Sequence, residues 1–500
     1  MKKALAFLLA VTTLLAAAAA PTFALQKEEA NLIAPSAAAV DYTVTGPYDN
    51  VDWSTWGAYK FQPHCHTNAS DGYLTIKEAI QWDYDLDYDV VAITDHGTLN
   101  RGWNKAPQLV DIMRLIKYER TQMAPIDPIP DDEYQQYLNG THATTEGNVR
   151  TSQNGMLDVP LGIELNLATP KCDCHLTGYW SEYGQGYAGV YGDYETPSKG
   201  VMKAGGISML SHVGEYVYPE KDSVDHTGQK IDEYFVNKFA RIFLDCKGSS
   251  VGMGINSATD CHTRCDRILY DQILQKTIPN GVIPWGFSFS DSHNIPSRND
   301  AYTMLLMPVF DLDHVRTAME TGASFSVSHF SYGVELNGMP EMPAFFEDGF
   351  TEDQVNWRSN NTPLITYMNI DNEADTITVE GTDFDQITWI SNGNVILRES
   401  VENGKATLDL HSTELLDEPS MFIRFYVTGK DGICYSQPMV LTRNNETFAP
   451  VEVPKTHDTS TFLRTLVTVL DWAIFKWSPI VWAFKIFAMG YNPFQWVVGK

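Results

Sequence analysis

The residues best suited to chemistry in this chain are histidines and carboxylates placed at the ends of short apolar runs. His64-Cys65-His66 puts two imidazoles on alternate positions, which point the same way along an extended segment and can share one metal ion. Asp71 follows in Ser70-Asp71-Gly72, and Thr94-Asp95-His96 comes directly after the apolar run Val90-Val91-Ala92-Ile93. Further on, Glu164 closes the run Pro160 to Ile163 and His175 lies eleven positions later. His212 follows Gly206 to Leu210, and Asp291-Ser292-His293 follows Val282 to Phe289. Of the thirteen histidines, six occupy these settings beside three carboxylates. His142, His226, His262, His314, His329, His411 and His457 have no comparable surroundings. Any one of the six, taken alone, reads as an ordinary core or surface imidazole. Together they predict a metal centre, and imidazole with carboxylate but no thiolate suits zinc, manganese or iron.

Such a set needs a framework that brings strand ends together. From about Ala58 to Phe330 short apolar runs alternate with amphipathic stretches, the pattern of βα units forming a parallel sheet or barrel. Expected strands are Tyr59 to Phe61, Val90 to Ile93, Pro160 to Ile163, Gly206 to Leu210 and Val282 to Phe289. Leu109-Ile112-Met113-Ile116, Phe235-Phe239-Ile242 and Val315-Ala318-Met319 recur at helical spacing and read as core stripes. In parallel α/β folds the C-terminal strand ends form the functional face, so ligands gathered there are more informative than the same number scattered. Met123 to Gly155 is long and polar, and reads as a solvated surface loop in preference to a lid over the site. From about Ser331 to Arg443, alternating runs such as Thr376 to Val379 and Met421 to Val427 are separated by Asn-Gly and Lys-Asp-Gly turns, the pattern of a small β-sandwich.

Four ordered motifs resemble those of the polymerase and histidinol phosphatase (PHP) superfamily over roughly residues 58 to 330. They are His64-Cys65-His66-Thr67 through Ser70-Asp71-Gly72, Ile93-Thr94-Asp95-His96, Gly162-Ile163-Glu164 and Ser290-Asp291-Ser292-His293. The Glu164 to His175 interval is similar to the branch that includes nucleotide and oligonucleotide-end phosphatases and exported carbamate-ester hydrolases. The resemblance implies an α/β fold: a distorted (βα)7 barrel followed by a small β-sandwich, holding two to three divalent metal ions (Mn, Zn or Fe). It implies as ligands His64, His66, Asp71, His96, Glu164, His175, His212, Asp291 and His293. One departure is His212-Val213-Gly214-Glu215, where the family often has a His-Pro pair. Three divalent ions would turn the −3 of the carboxylates into about +3, which suits a phosphate dianion. A metal-bridging hydroxide would then attack phosphorus without any nucleophilic side chain. Arg101 and Arg298 lie close enough in sequence to the second and last motifs to be candidate phosphate contacts, though either alone also reads as a surface arginine. Asp95 either orients a ligand histidine or ends a strand.

The remaining features bear on location and partners. Met-Lys-Lys, an alanine-rich apolar run and Thr22-Phe23-Ala24 predict a secretory signal over residues 1–24, with a leader over 25–50. The formal charge of −28 becomes −30 without that signal, because Lys2 and Lys3 leave and no acidic residue precedes Glu28. So acidic a surface repels bulk nucleic acid but admits a small phosphorylated substrate to a cationic metal site. Seven cysteines leave at least one unpaired. Cys172, Cys174, Cys246, Cys261 and Cys265 read equally as local disulfides or buried thiols, and Cys65 as free. The expected divisions are a metallohydrolase domain at 51–330, a sandwich at 331–446, a linker at 447–460 and an apolar amphipathic helical tail at 461–500. That tail lies in a membrane interface, giving peripheral membrane association, or docks on its own protein. The expected activity is an exported phosphoesterase for phosphomonoester or nucleotide-type substrates. The alternatives are a carboxyl or carbamate ester hydrolase with the same metals and a non-catalytic surface binding protein.

Overall fold

The computed structural model describes residues 40–107, 126–145, 150–165, 175–185, 193–216, 231–257, 266–295, 298–329 and 361–456. The expected signal, most of the leader, the helical stripe at 109–116, Cys172, Cys174, Cys261, Cys265 and the tail therefore lie outside the described residues.

The strand that carries the paired histidines is β2 (Gly57–Cys65), longer than expected because its buried run continues through Pro63 to Cys65. It pairs in parallel with β3 (Val90–Ile93), whose four β-branched or small apolar residues are all buried, and β3 pairs in parallel with β4 (Leu157–Asp158). A second sheet runs in the order β5 (Ile163–Glu164), β6 (Leu176–Tyr179), β7 (Ile207–Leu210), β8 (Ser250–Ser257) and β9 (Trp285–Phe289). β7, β8 and β9 are parallel, whereas β6 is antiparallel to both its neighbours. Two single bridges join the sheets, Cys65 with Ser292 and His96 with Glu164, and both lie among the candidate ligands. The second approach is close: a Cβ on Gly162 would stand 2.3 Å from the Ile93 carbonyl oxygen, so only glycine fits there.

Helices pack on these strands, three of them opened by a side-chain cap. α1 (Ile76–Asp85) opens with a reciprocal capping box between Thr75 and Glu78. The stretch expected as a loop contains α2 (Asp131–Asn139), ended by Gly140 in the left-handed conformation. Beyond it, Thr151 and Ser152 are pinned to the Asp87 and Asp89 carboxylates. The helix is polar enough to look like solvated loop, but its buried Tyr137 stacks on His142 at 3.9 Å. α3 (Glu195–Lys203) leads into β7. Asp232 caps α4 (Glu233–Asp245), whose Val236, Phe239, Ala240 and Phe243 form its buried stripe. Burying each of the larger ones contributes roughly 1.5–3 kcal/mol. α5 (Asp266–Thr277) and α6 (Leu312–Thr321) complete the described set, α6 capped by Asp311 and closed by Gly322. Among the described residues no helix is long and apolar enough to cross a membrane.

Some C-terminal strands hydrogen-bond to strands that precede residue 330, and others form a sheet of their own. β10 (Ala301–Met307) pairs antiparallel with β2 and with β11 (Ser324–Ser328), and β11 pairs with β18 (Gly432–Tyr435). One sheet of eleven strands thus runs from β4 through β2 into β17 (Met421–Gly429), β19 (Met439–Arg443), β14 (Gln386–Ser391) and β15 (Asn394–Ser400). β1 (Tyr42–Thr45), from the expected leader, pairs with β19 at the far edge. β12 (Leu364–Asp371), β13 (Thr376–Thr382) and β16 (Lys405–Asp409) form a separate antiparallel sheet. Asn392-Gly393, with φ of 49° and 86°, makes the turn between β14 and β15 that the Asn-Gly pair anticipates. Phe422, Tyr426, Ile433 and Tyr435 share one buried cluster with Leu269, Ile273 and Leu274 of α5. Arg424 crosses the same contact, its Nε and Nη2 on the Asp271 carboxylate at 2.8 and 2.7 Å. The boundary near residue 330 is therefore crossed by continuous hydrogen bonding and a common core.

Candidate metal centre

Every residue of the expected ligand set is brought to one end of the strands. His64 is near the end of β2 and His66 just beyond it, and Asp71 sits in the loop before α1. His96 lies past β3, Glu164 ends β5, and His212, Asp291 and His293 follow β7 and β9. His175 is different, since it precedes β6. Because β6 runs antiparallel, its N-terminal end lies on the side where the other strands finish. His212 and Asp291 hold left-handed backbone, with φ of 25° and 47°, a conformation that costs non-glycine residues of order 1–3 kcal/mol and clusters at functional sites.

Glu164 is the hub. One carboxylate oxygen lies 2.7 Å from His175 Nδ1, 3.4 Å from His64 Nε2 and 3.6 Å from His212 Nε2. The other lies 2.9 Å from His96 Nδ1 and 3.3 Å from His66 Nε2. Asp291 approaches His66 at 3.0 Å, His64 at 3.2 Å and His212 at 3.5 Å. Asp71 approaches His293 at 3.3 Å and His96 at 3.5 Å. Ligand atoms within 4.8 Å of one another group as His66, Asp71, His96 and His293; as His64, His212 and Asp291; as His64, His66 and Glu164; and as His96, Glu164 and His175. These overlapping groups, which share His64, His66, His96 and Glu164, are compatible with a multinuclear metal site.

Electrostatics agree with that use. Burial alone would neutralise Glu164, yet the rings of His175, His96 and His64 hold its carboxyl well below the usual range. Asp71 is held down in the same way by His293 and His96, against burial, and Asp291 by His64, His66 and His212. Burial lowers His64. Burial and the charge of His96 oppose a proton on His66, but Asp291, Glu164 and Asp71 outweigh them and raise it to about 9. His64 Nε2, His66 Nε2 and Glu164 Oε2 are buried and make no hydrogen bond of good geometry. Buried polar atoms left so are uncommon, and a divalent cation among them would satisfy all three. The donor set and these atoms thus fit the implied ions.

The two candidate phosphate arginines separate. Arg101 lies at the surface, its guanidinium forked onto Glu182, with Nη1 to Oε1 at 2.7 Å. Arg298 is completely buried, with Nε and Nη2 on the Asp83 carboxylate of α1 and Nη2 3.6 Å from Cys65 Sγ. Expected at a phosphate, Arg298 instead anchors α1 behind the ligand strand, because its charge is already spent on Asp83. Cys65 is free as expected, and burial pushes its thiol up to about 12, which disfavours the thiolate. Cys246, expected in a cluster that permits disulfides, is a free buried thiol. Glu215 lies in a short 3-10 turn after His212. Sequence reasoning missed the hydroxyls of Ser70 and Thr94, whose only signal is their position beside ligands in the two motifs.

The described chain is a mixed α/β protein with a buried centre of histidines and carboxylates suited to a multinuclear metal site. No family model and no curated protein sequence matches it. Among solved structures it is similar to a two-domain protein from Bacteroides vulgatus containing a predicted PHP-like metal-dependent phosphoesterase. That likeness has a TM-score of 0.37 at 13% identity and covers 78% of this chain and 94% of that one. It is also similar to an amidohydrolase from Chromobacterium violaceum solved with bound sulfate and no metal. There the TM-score is 0.25 at 12% identity, covering 47% of this chain and 87% of that one. At such low scores the chemistry has to be read from the side chains themselves.

Proposed function

We propose that this chain is an exported metal-dependent hydrolase that cleaves phosphate esters of small molecules, phosphomonoesters or nucleotide-type substrates. The observation that carries the reading is the convergence of six imidazoles on three buried carboxylates where β2, β3, β5, β7 and β9 end and the antiparallel β6 begins; we read the strand set as a distorted (βα)7 barrel. Bound divalent ions would supply Lewis acidity and a water acidified to near neutral pH.

The chain's own residues do the rest. Glu164 ties four of the histidines' ring nitrogens to one carboxylate at 3.4 Å or less, which fixes their spacing. His64, His66 and Glu164 are sealed from solvent, so their charges act at low dielectric. His293 and His175 are the more open ligands, with side chains 26% and 19% exposed, and a substrate would enter on their side. Arg101 would exchange Glu182 for a substrate phosphate, a trade between two planar, charge-assisted pairs. The net charge of −28 supports a small ligand over bulk nucleic acid. Residues 461–500 would add peripheral membrane association.

The test is elemental analysis of the full chain with hydrolysis of a generic phosphate ester and a generic acyl ester after loading with manganese, zinc or iron. Two or three metals per chain with phosphate turnover, both lost in His64→Ala, is the expected result. Acyl turnover alone would replace phosphate as the substrate, and full activity in His64→Ala would remove the metal reading.

A further inference from the structure

Resting on that metal-dependent reading, we propose that Asp95 and Ser70 form a positioning relay that sets the tautomer of His66 and so presents its Nε2 lone pair to metal. Asp95 reaches the ligand Glu164 only through its backbone carbonyl, which accepts the Glu164 N–H at 3.2 Å. Its carboxylate accepts the Thr67 backbone N–H at 2.7 Å, the Thr67 hydroxyl at 2.6 Å and the Ser70 hydroxyl at 2.7 Å. Ser70 Oγ also lies 3.3 Å from His66 Nδ1 and 3.3 Å from Asp71 Oδ1.

A serine hydroxyl has one proton to give. Of its two carboxylate neighbours Asp95 is much the closer, and a charge-assisted O–H···O bond at that length is the stronger. The proton therefore points at Asp95, and the lone pairs of Ser70 Oγ face His66. An oxygen that offers only lone pairs requires His66 to carry its proton on Nδ1, and Asp71 Oδ1, 3.6 Å from the same nitrogen, favours the same tautomer. His66 Nε2 is then the basic nitrogen. It is the one facing Asp291 at 3.0 Å and Glu164 at 3.3 Å, and it has no hydrogen bond of good geometry.

The preceding residue holds the other histidine of the pair. Thr94 Oγ1 lies 2.6 Å from His64 Nδ1, a contact that keeps the ring turned with Nε2 toward Asp291 at 3.2 Å and Glu164 at 3.4 Å. Thr94 and Asp95, adjacent just past β3, therefore position His64 in β2 and His66 just beyond it. Partners of this kind commonly change metal affinity by 10–100-fold when removed.

The experiment measures zinc affinity of the full chain by competition with a chromophoric chelator, for wild type, Ser70→Ala, Asp95→Ala and Asp95→Asn. Ser70→Ala and Asp95→Ala should bind zinc about 10–100-fold more weakly. Asp95→Asn, which keeps a carbonyl oxygen for Ser70, should bind close to wild type. Equal affinity in Ser70→Ala, Asp95→Ala and wild type would overturn the relay while leaving the metal centre intact. A wild type that binds no zinc, manganese or iron would overturn the metal reading itself. The 15N spectrum of ring-labelled histidine in zinc-loaded wild type gives a second readout that needs no variant to fold. A His66 signal protonated on Nδ1 is expected, and one protonated on Nε2 overturns the relay.

Discussion

Replacing Arg298 separates a structural role from a phosphate contact. Its guanidinium and the Asp83 carboxylate are both fully buried and meet through two bonds, Nε to Oδ1 at 2.8 Å being one of them. Burial pushes the Asp83 carboxyl up even against this partner. Arg298→Met leaves Asp83 uncompensated in a dry interior, a change that typically costs 3–5 kcal/mol. With a urea dependence of about 3 kcal/mol per molar, the upper end for small proteins, the midpoint should fall by roughly 1–2 M. The double variant Asp83→Leu, Arg298→Met should recover much of that loss, since replacing both partners by apolar groups removes the orphaned charge. The assay is urea unfolding of the full chain followed by tryptophan fluorescence and far-UV circular dichroism, beside KM for a phosphate ester. An unchanged midpoint with a raised KM would refute the burial argument and return Arg298 to the substrate.

Other outcomes follow from single sites. Arg101→Met should shift stability by less than about 1 kcal/mol, because its partner Glu182 is mostly exposed. If Arg101 binds phosphate, KM should rise without loss of metal; an unchanged KM would remove that role. Asp158 is buried, which pushes its carboxyl up to about 7 although Trp103 N–H and Tyr134 OH donate to it. The folded state then holds a proton that the unfolded chain releases near pH 4, so Asp158 lowers stability as pH rises from about 4 to 7. Thermal midpoints of wild type should therefore fall relative to Asp158→Asn across that window, and parallel profiles would contradict the shift. Gly162→Ala drives a Cβ into the Ile93 carbonyl where β3 meets β5, and should cost about 1–3 kcal/mol and reduce zinc bound per chain. Metal content and a melting curve equal to wild type would show that the seam gives way.

Much of the candidate centre was legible in the chain because ligand chemistry is local. An alternate His-X-His at a strand end, a Thr-Asp-His after four buried residues and an Asp-Ser-His after another run each declare both residue type and direction. Capping boxes and Asn-Gly turns are local in the same sense, so Thr75 with Glu78 and Asn392-Gly393 act where they stand. What only the tertiary structure decided is pairing between distant segments. Whether β6 runs with or against its neighbours is invisible in four residues, yet that direction is what delivers His175 to the site. The bond between β11 and β18 joins segments about a hundred residues apart, across the point where the pattern of the sequence changes. The fate of a charge is non-local too. Arg101 and Arg298 look alike beside their motifs, but Asp83 on α1 meets one in the core while Glu182 meets the other at the surface. Sequence fixes which groups can ligate or pair; hydrogen-bond partners and burial, set by the whole chain, choose which of them do.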